Sequence, residues 1–368
     1  MSSGDVILVI VVLTAVAFDF TNGFHDTANV VATSISTRAI GPRQAVALAS
    51  LLNFVGAFIS LKVATTIGKG FVDTGAVTTT VVFAALVGAI AWNLITWSYG
   101  LPSSSSHALI GGLVGSVIAA QGITAVNGQG LVDKLIVPAV VSPLVAFVVA
   151  GASILIIYRI IGRLRPGAVG RGFRLGQIVS GGLLALSHGT NDAQKTMGVI
   201  TLALIANGNI PAAGFHVPVW VVFVSASAIA LGTFTGGWRI IKTVGTRIIS
   251  MDPAQGFAAQ TAGAVVILAA SSVGYPLSTT HVISGGITGA GAAKSVSAVR
   301  WGVAGDIVRA WILTLPAAAC MAAIVYGITS LFGHGALGPV VVAGILLLAA
   351  AALVARRIHP AIASPATS

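Results

Sequence analysis

The chain has 368 residues, 56% of them hydrophobic and only 7% charged, with a formal net charge of +11. Soluble domains carry roughly 25% charged residues, so this composition excludes a water-facing globular surface and predicts an all-α polytopic membrane protein. No basic run is interleaved with aromatic residues, which argues against nucleic acid as a partner and leaves membrane lipid as the medium.

All eight acids are Asp (Asp5, Asp19, Asp26, Asp73, Asp133, Asp192, Asp252 and Asp306), and Glu is absent. The single cysteine, Cys320, lies in an apolar run and cannot form an internal disulfide.

In chain order, residues 6–18 are apolar but shorter than the about 20 residues a membrane-crossing helix needs. They resemble a signal-peptide core but lack a basic n-region, and are read as the first span. They lead into Asp19, Asn22, His25, Asp26 and Asn29, and apolar sequence resumes at Val30. The expectation is a discontinuous helix whose polar break lies in the membrane.

Spans follow at residues 45–61 and 77–97. Next comes Pro102-Ser103-Ser104-Ser105-Ser106-His107 ahead of a short apolar run with Gly111, Gly112 and Gly115. That run is too short to cross comfortably and predicts a re-entrant hairpin. Residues 135–161 form a long span containing Pro138 and Pro143.

Arg159, Arg163, Arg165, Arg171 and Arg174 follow without an acid among them, which places this central segment in the cytoplasm. The predicted organisation is a first transmembrane repeat over 1–161, a basic cytoplasmic loop over 162–174 and a second transmembrane repeat over 175–368. In the second repeat, apolar sequence at 175–186 and 196–205 flanks a polar motif. Further spans are read at 217–234, 257–273, 303–328 and 340–355, and Arg356 and Arg357 draw the C-terminus inward. About ten crossings and two hairpin-like elements give 10–12 membrane segments.

Three features recur in order. Gly23 and Asp26 match Gly189 and Asp192 at a separation of 166, and Thr66-Ile67-Gly68 matches Thr243-Val244-Gly245 at 177. Pro102, Ser104, His107, Gly111, Gly112 and Gly115 match Pro276, Ser278, His281, Gly285, Gly286 and Gly289 at 174. Repeats with broken helices in corresponding positions point to a transporter's central site.

Hydroxyl residues at a helix start offer O–H and N–H donors at a positive dipole end, an oxyanion site that needs no fixed cation. Ser104, Ser105 and Ser106 would supply it from one half, and Ser278, Thr279 and Thr280 from the other. Asp26 and Asp192 nearby would repel an anion unless a cation or proton lay between them. The oxygens of Asn29 and Asn191 could ligate a small hard cation. Each feature also has a plainer reading. An Asp, Asn or Ser at a helix start is commonly an N-cap, His107 and His281 could bond backbone carbonyls, and Asp19, Asp306 and Arg309 could form an internal pair.

The signature Gly23-Phe24-His25-Asp26-Thr27-Ala28-Asn29-Val30, its partner Gly189-Thr190-Asn191-Asp192-Ala193-Gln194-Lys195 and the duplicated Pro-x-Ser-[Ser/Thr]-[Ser/Thr]-His block resemble the inorganic phosphate transporter (Pit) family over essentially the whole chain. The resemblance implies two inverted repeats with discontinuous helices and re-entrant hairpins meeting at a phosphate site in the cell (plasma) membrane. By motif, Ser104, Ser105, Ser106, Ser278, Thr279 and Thr280 become phosphate ligands, and Asp26, Asn29, Asn191 and Asp192 cation-site residues.

Two departures from the family signature matter: His25 replaces an Asn in the first half and Lys195 an Asn in the second. Both resemble the bacterial low-affinity branch, whose members are similar to proton-coupled carriers of phosphate, often as a neutral metal–phosphate complex. Lys195 sets a fixed positive charge where sodium would sit, and the imidazole of His25 could carry the coupling proton. The expected activity is therefore proton-driven phosphate symport with no catalysis, no resident metal and no cofactor, and a divalent metal is an optional co-substrate. The alternatives are sodium-coupled phosphate symport, a sulfate permease of the same fold and, remotely, an intramembrane hydrolase. A homodimer is compatible with the resemblance.

Overall fold

The computed structural model describes residues 3–161, 166–333 and 335–348. In the first half, α1 (Ser3–Ser36), α2 (Pro42–Gly56), α3 (Lys62–Lys69), α4 (Thr79–Tyr99) and α5 (Ser105–Gln121) lead to the single turn α6 (Gly128–Leu131). A π-helical turn, Val132–Ile136, joins α6 to α7 (Val137–Ile161). The second half runs α8 (Pro166–Ala206), α9 (Val219–Thr235), α10 (Trp238–Lys242) with a π-helical extension Thr243–Arg247, α11 (Pro253–Ser272), α12 (Thr279–Lys294) and α13 (Trp301–Ser330). A shorter apolar helix, α14 (Leu337–Leu348), follows.

Five helices among the described residues are long and apolar enough to cross a membrane: α1, α4, Gly128–Ile160, α11 and α13. The bent pair α9–α10 makes a sixth, with a 60° bend. The 41-residue α8 is long enough but carries the second polar motif. The shorter α2, α5, α12 and α14 overlap other stretches expected in the membrane, whereas the eight-residue α3 lies between two expected spans.

Two sequence expectations are corrected. The polar motifs do not break their helices: α1 runs unbroken through residues 19–29, and α8 through 187–195. A helix satisfies its own backbone, so polar side chains persist at depth when they face protein. Here Asp19, Asn22, His25, Asp26 and Asn29 are all buried. The real breaks lie where glycine allows left-handed backbone, at Gly100 (φ 66°), Gly236 (φ 73°) and Gly274 (φ 87°). The second correction concerns the basic segment. Residues 166–174, including Arg171 and Arg174, are helical and open α8. Arg163, Arg165, residues 349–355 and the pair Arg356 and Arg357 lie outside the described residues.

The halves interlock. The hairpin helix α5 packs on α13 of the second half, and its counterpart α12 packs on α7 of the first. Likewise α1 packs on α9 and α8 on α2, while α1 meets α8 and α2 meets α9. The interfaces are lined with small residues, as close helix approach in lipid requires. A methyl group on Gly23 would strike the backbone of Ile229 and Thr233, and one on Gly189 that of Asn53. Duplicated residues thus make duplicated contacts, each across the seam between halves.

Candidate functional site

The α4–α5 and α11–α12 links bring two helix N-termini together. Ser104 caps α5 by accepting from the His107 N–H at 3.2 Å, and Ser278 caps α12 by accepting from the His281 N–H at 3.3 Å. The plainer N-cap reading therefore holds for these two residues. The next residues reach across the seam. The Ser106 hydroxyl donates to the Leu277 carbonyl at 3.1 Å, and the Thr280 hydroxyl donates to the Ser103 carbonyl at 3.0 Å. Ser105 Oγ is buried without a hydrogen-bond partner among the described residues. The rings of His107 and His281 meet edge-to-face at 4.7 Å, and His281 also stacks on Trp311 at 4.0 Å. His281 Nδ1 lies 3.2 Å from the Ala139 carbonyl, as the backbone reading anticipates.

The motifs of α1 and α8 face these tips from mid-helix, so Asp26, Asn191 and Asp192 are not caps. Asn29 Nδ2 donates to Thr279 Oγ1 at 3.2 Å and to Thr280 Oγ1 at 2.9 Å. In the corresponding place on α8, Lys195 Nζ donates to Ser106 Oγ, to Asp192 Oδ1 at 2.6 Å and to the Leu277 carbonyl at 3.0 Å. Asn191 Nδ2 donates to Asp192 Oδ1 at 2.6 Å and to the Leu277 carbonyl at 2.8 Å. Asp192 and Lys195 are both fully buried, and a buried pair of this kind is held by its hydrogen bonds as much as by Coulomb attraction.

His25 is anchored at both ring nitrogens. Nδ1 lies 2.8 Å from Asp26 Oδ1, and Nε2 lies 3.2 Å from Thr96 Oγ1 and 3.3 Å from Ser103 Oγ. The structure thus brings all twelve residues singled out by the sequence into one buried region, six at the helix tips and six on α1 and α8.

Sequence reasoning missed His188. Asp26, His188 and Asp192 each offer a ligand atom, all within 4.8 Å of one another. His188 Nε2 and Asp192 Oδ2 approach to 3.2 Å, within ion-pair distance, and neither has another aligned hydrogen-bond partner among the described residues. The missed signal was spacing, since His188 stands one helical turn before Asp192 on the same face. Asn53 supports it from α2, its Oδ1 3.1 Å from His188 Nδ1 and its Nδ2 donating to Thr233 Oγ1 at 2.8 Å. Nothing in the sequence marked Thr96, and Ser103 stands in the Ser run only as the variable position of the Pro-x-Ser block. The expected Asp19–Asp306–Arg309 pair does not form. Asp306 and Arg309 bond at 2.9 Å on the surface, and Asp19 is buried elsewhere.

The donor set covers two chemistries in one water-excluded core. Paired hydroxyl-bearing helix ends suit a tetrahedral oxyanion, while two carboxylates and an imidazole suit a cation. Fold and site together define a multi-pass membrane protein of the transporter class. Residues 22–169 and 163–322 match the phosphate transporter family, and the chain belongs to that family. It is 52% identical over 327 residues to a probable low-affinity inorganic phosphate transporter of Mycobacterium tuberculosis, covering 89% of this chain and 78% of that one. Proteins of the same description from Rhizobium meliloti (50% identity; 87% of this chain, 96% of the relative) and Bacillus subtilis (46%; 89% and 98%) are also similar. A solved structure described as the sodium-dependent phosphate transporter matches with a TM-score of 0.81 at 27% identity, over 88% of this chain and 99% of that one.

Proposed function

We propose that the chain imports inorganic phosphate by proton symport, binding it between the first turns of α5 and α12. The observation carrying this reading is Lys195. Its ammonium group lies within bonding distance of Ser106, Asp192 and the Leu277 carbonyl, a fixed positive charge beside the hydroxyls that would hold the anion. A group so placed neutralises Asp192 and offers the anion a positive neighbour without a sodium ion. Asp26, His188 and Asp192 are the residues that would hold a divalent cation travelling with phosphate as a neutral complex.

Sodium coupling is the second reading, favoured by the sodium dependence ascribed to the structural relative. The deciding experiment is phosphate uptake into proteoliposomes under separately imposed proton and sodium gradients. Uptake that follows the pH gradient and ignores sodium is expected. A requirement for sodium with indifference to pH would overturn proton coupling while leaving phosphate transport intact. Adding magnesium or manganese to the same vesicles tests co-transport, which predicts faster uptake in wild type and no such gain in Asp192→Asn.

A further inference from the structure

Asp26 and Asp192 both have hydrogen-bond partners in the core, but among the described residues a third buried carboxylate has none. Asp19 is fully buried on α1, and neither of its oxygens has a hydrogen-bond partner among the described residues. Asn22, one turn along the same helix, is also fully buried, with both its amide nitrogen and oxygen unpartnered among those residues. Thr196 Oγ1, on the facing α8, is in the same condition. The Thr196 hydroxyl and Asn22 side chain approach the Asp19 carboxylate without completing hydrogen bonds to it.

Lys195 is close enough to act on Asp19 electrostatically but makes its bonds to Asp192, Ser106 and Leu277. Asp192, on the same helix, repels it. The remaining ionisable groups nearby in sequence are His25 and Asp26 on α1 itself, which pair with each other. The helices α4 and α9, also packed on α1, carry no Asp, Glu, Lys, Arg or His. Asp19 also lies outside the Asp26–His188–Asp192 cluster. It belongs to one half only, since the residue 166 positions on is Ala185.

To set against its lost hydration, an ionised carboxylate in these surroundings has only the charge of Lys195, itself bonded to Asp192, and two incompletely aligned neighbours. Binding one proton removes the charge and turns one oxygen into a donor. The protonated acid can then donate to Asn22 Oδ1, an acceptor the ionised carboxylate cannot serve, while still accepting from the Thr196 hydroxyl. We propose that Asp19 is the residue that carries the coupling proton, taking it up for the inward phosphate-loaded step and releasing it on the cytoplasmic side. This rests on the proton-symport reading above and assigns the proton to a residue outside the phosphate tips and the duplicated signatures.

The test compares wild type with Asp19→Asn in two assays on one proteoliposome preparation: accumulation of labelled phosphate driven by an imposed pH gradient, and phosphate–phosphate exchange without a gradient. Asp19→Asn is expected to lose gradient-driven accumulation and retain exchange. Accumulation equal to wild type, or loss of exchange and accumulation together, overturns the assignment. If wild type itself ignores the pH gradient, the proton-symport reading fails first, a result distinct from either.

A second variant guards against misfolding of the first. Because the chain contains no Glu, Asp19→Glu places one glutamate in the whole protein, and carboxyl-13C glutamate then reports on that site alone. Its signal is expected to switch from ionised to protonated across the working pH range and to shift when inorganic phosphate is added. A carboxyl that stays ionised throughout, or one that ignores phosphate, overturns the proposal.

Discussion

At the scale of single residues, the core balances charge through neighbours rather than through water. Asp192 has Lys195 and Asn191, and Asp26 has His25. Removing one member of a buried pair leaves the other uncompensated, at a cost of about 3–5 kcal/mol. We therefore predict that Lys195→Met sharply lowers the melting temperature in detergent and abolishes uptake, and that adding Asp192→Asn restores much of the stability but none of the transport. Failure of the second change to recover stability would mean that the pair does not carry the effect. The hydroxyls divide into two kinds. Ser104→Ala removes a cap and should cost about 1 kcal/mol with a modest change in phosphate KM. Thr280→Val removes a group that bridges Asn29 and Ser103, and uptake should fall by at least roughly 10-fold, the factor that one lost hydrogen bond of about 1.4 kcal/mol produces.

At the scale of elements, legibility in the sequence differs by kind of signal. The hairpin helices are readable because a Ser-rich start and Gly at fixed spacing carry a local signature that the structure keeps. The expected breaks in α1 and α8 do not occur because polarity alone does not interrupt a helix. Backbone continuity depends instead on whether neighbouring helices supply partners, as α2, α4, α9 and the hairpin tips do here. Those partners are distant in sequence, which is also why Thr96 could not be singled out and Ser103, though part of the Ser run, carried no role of its own. Helix α11 offers a test at its end. Asp252, just ahead of the span, forms a capping box with Gln255 and accepts from Tyr158 at 2.6 Å and Lys294 at 3.2 Å. Burial raises its affinity for protons, but the Tyr158 hydroxyl, the Gln255 N–H and Lys294 outweigh burial and hold the carboxyl below its usual range. A depressed folded-state value stabilises above the unfolded value, about pH 4, and that stabilisation is lost as pH falls through the folded value. Melting curves taken downward from pH 6 should show wild type losing an advantage over Asp252→Asn below about pH 4; parallel curves would refute the role.

At the scale of the whole molecule, the two repeats read from the sequence are not independent folding units. Each lends its hairpin helix to the other, α5 against α13 and α12 against α7. We predict that a chain cut between residues 161 and 166 yields fragments that are unstable apart but assemble and transport when co-expressed. A first fragment that folds and remains stable alone would contradict this. The interlocking was hidden from the sequence because duplication reveals which residues correspond, not which half each one touches.

The short helices beside the hairpins reach further than their length suggests. Lys62 of α3 donates to the Ser272 carbonyl at the end of α11, and Arg239 of α10 donates to the Ser98 carbonyl at the end of α4. Each strut thus belongs to one half and braces the bend of the other. A bend that swings would pull on a strut rooted across the seam, and we therefore expect the two bends to turn together, like leaves hung on a common pin. Lys62→Met and Arg239→Met should consequently slow phosphate uptake by factors that do not multiply when combined, and simple multiplication would show the leaves to be hung separately.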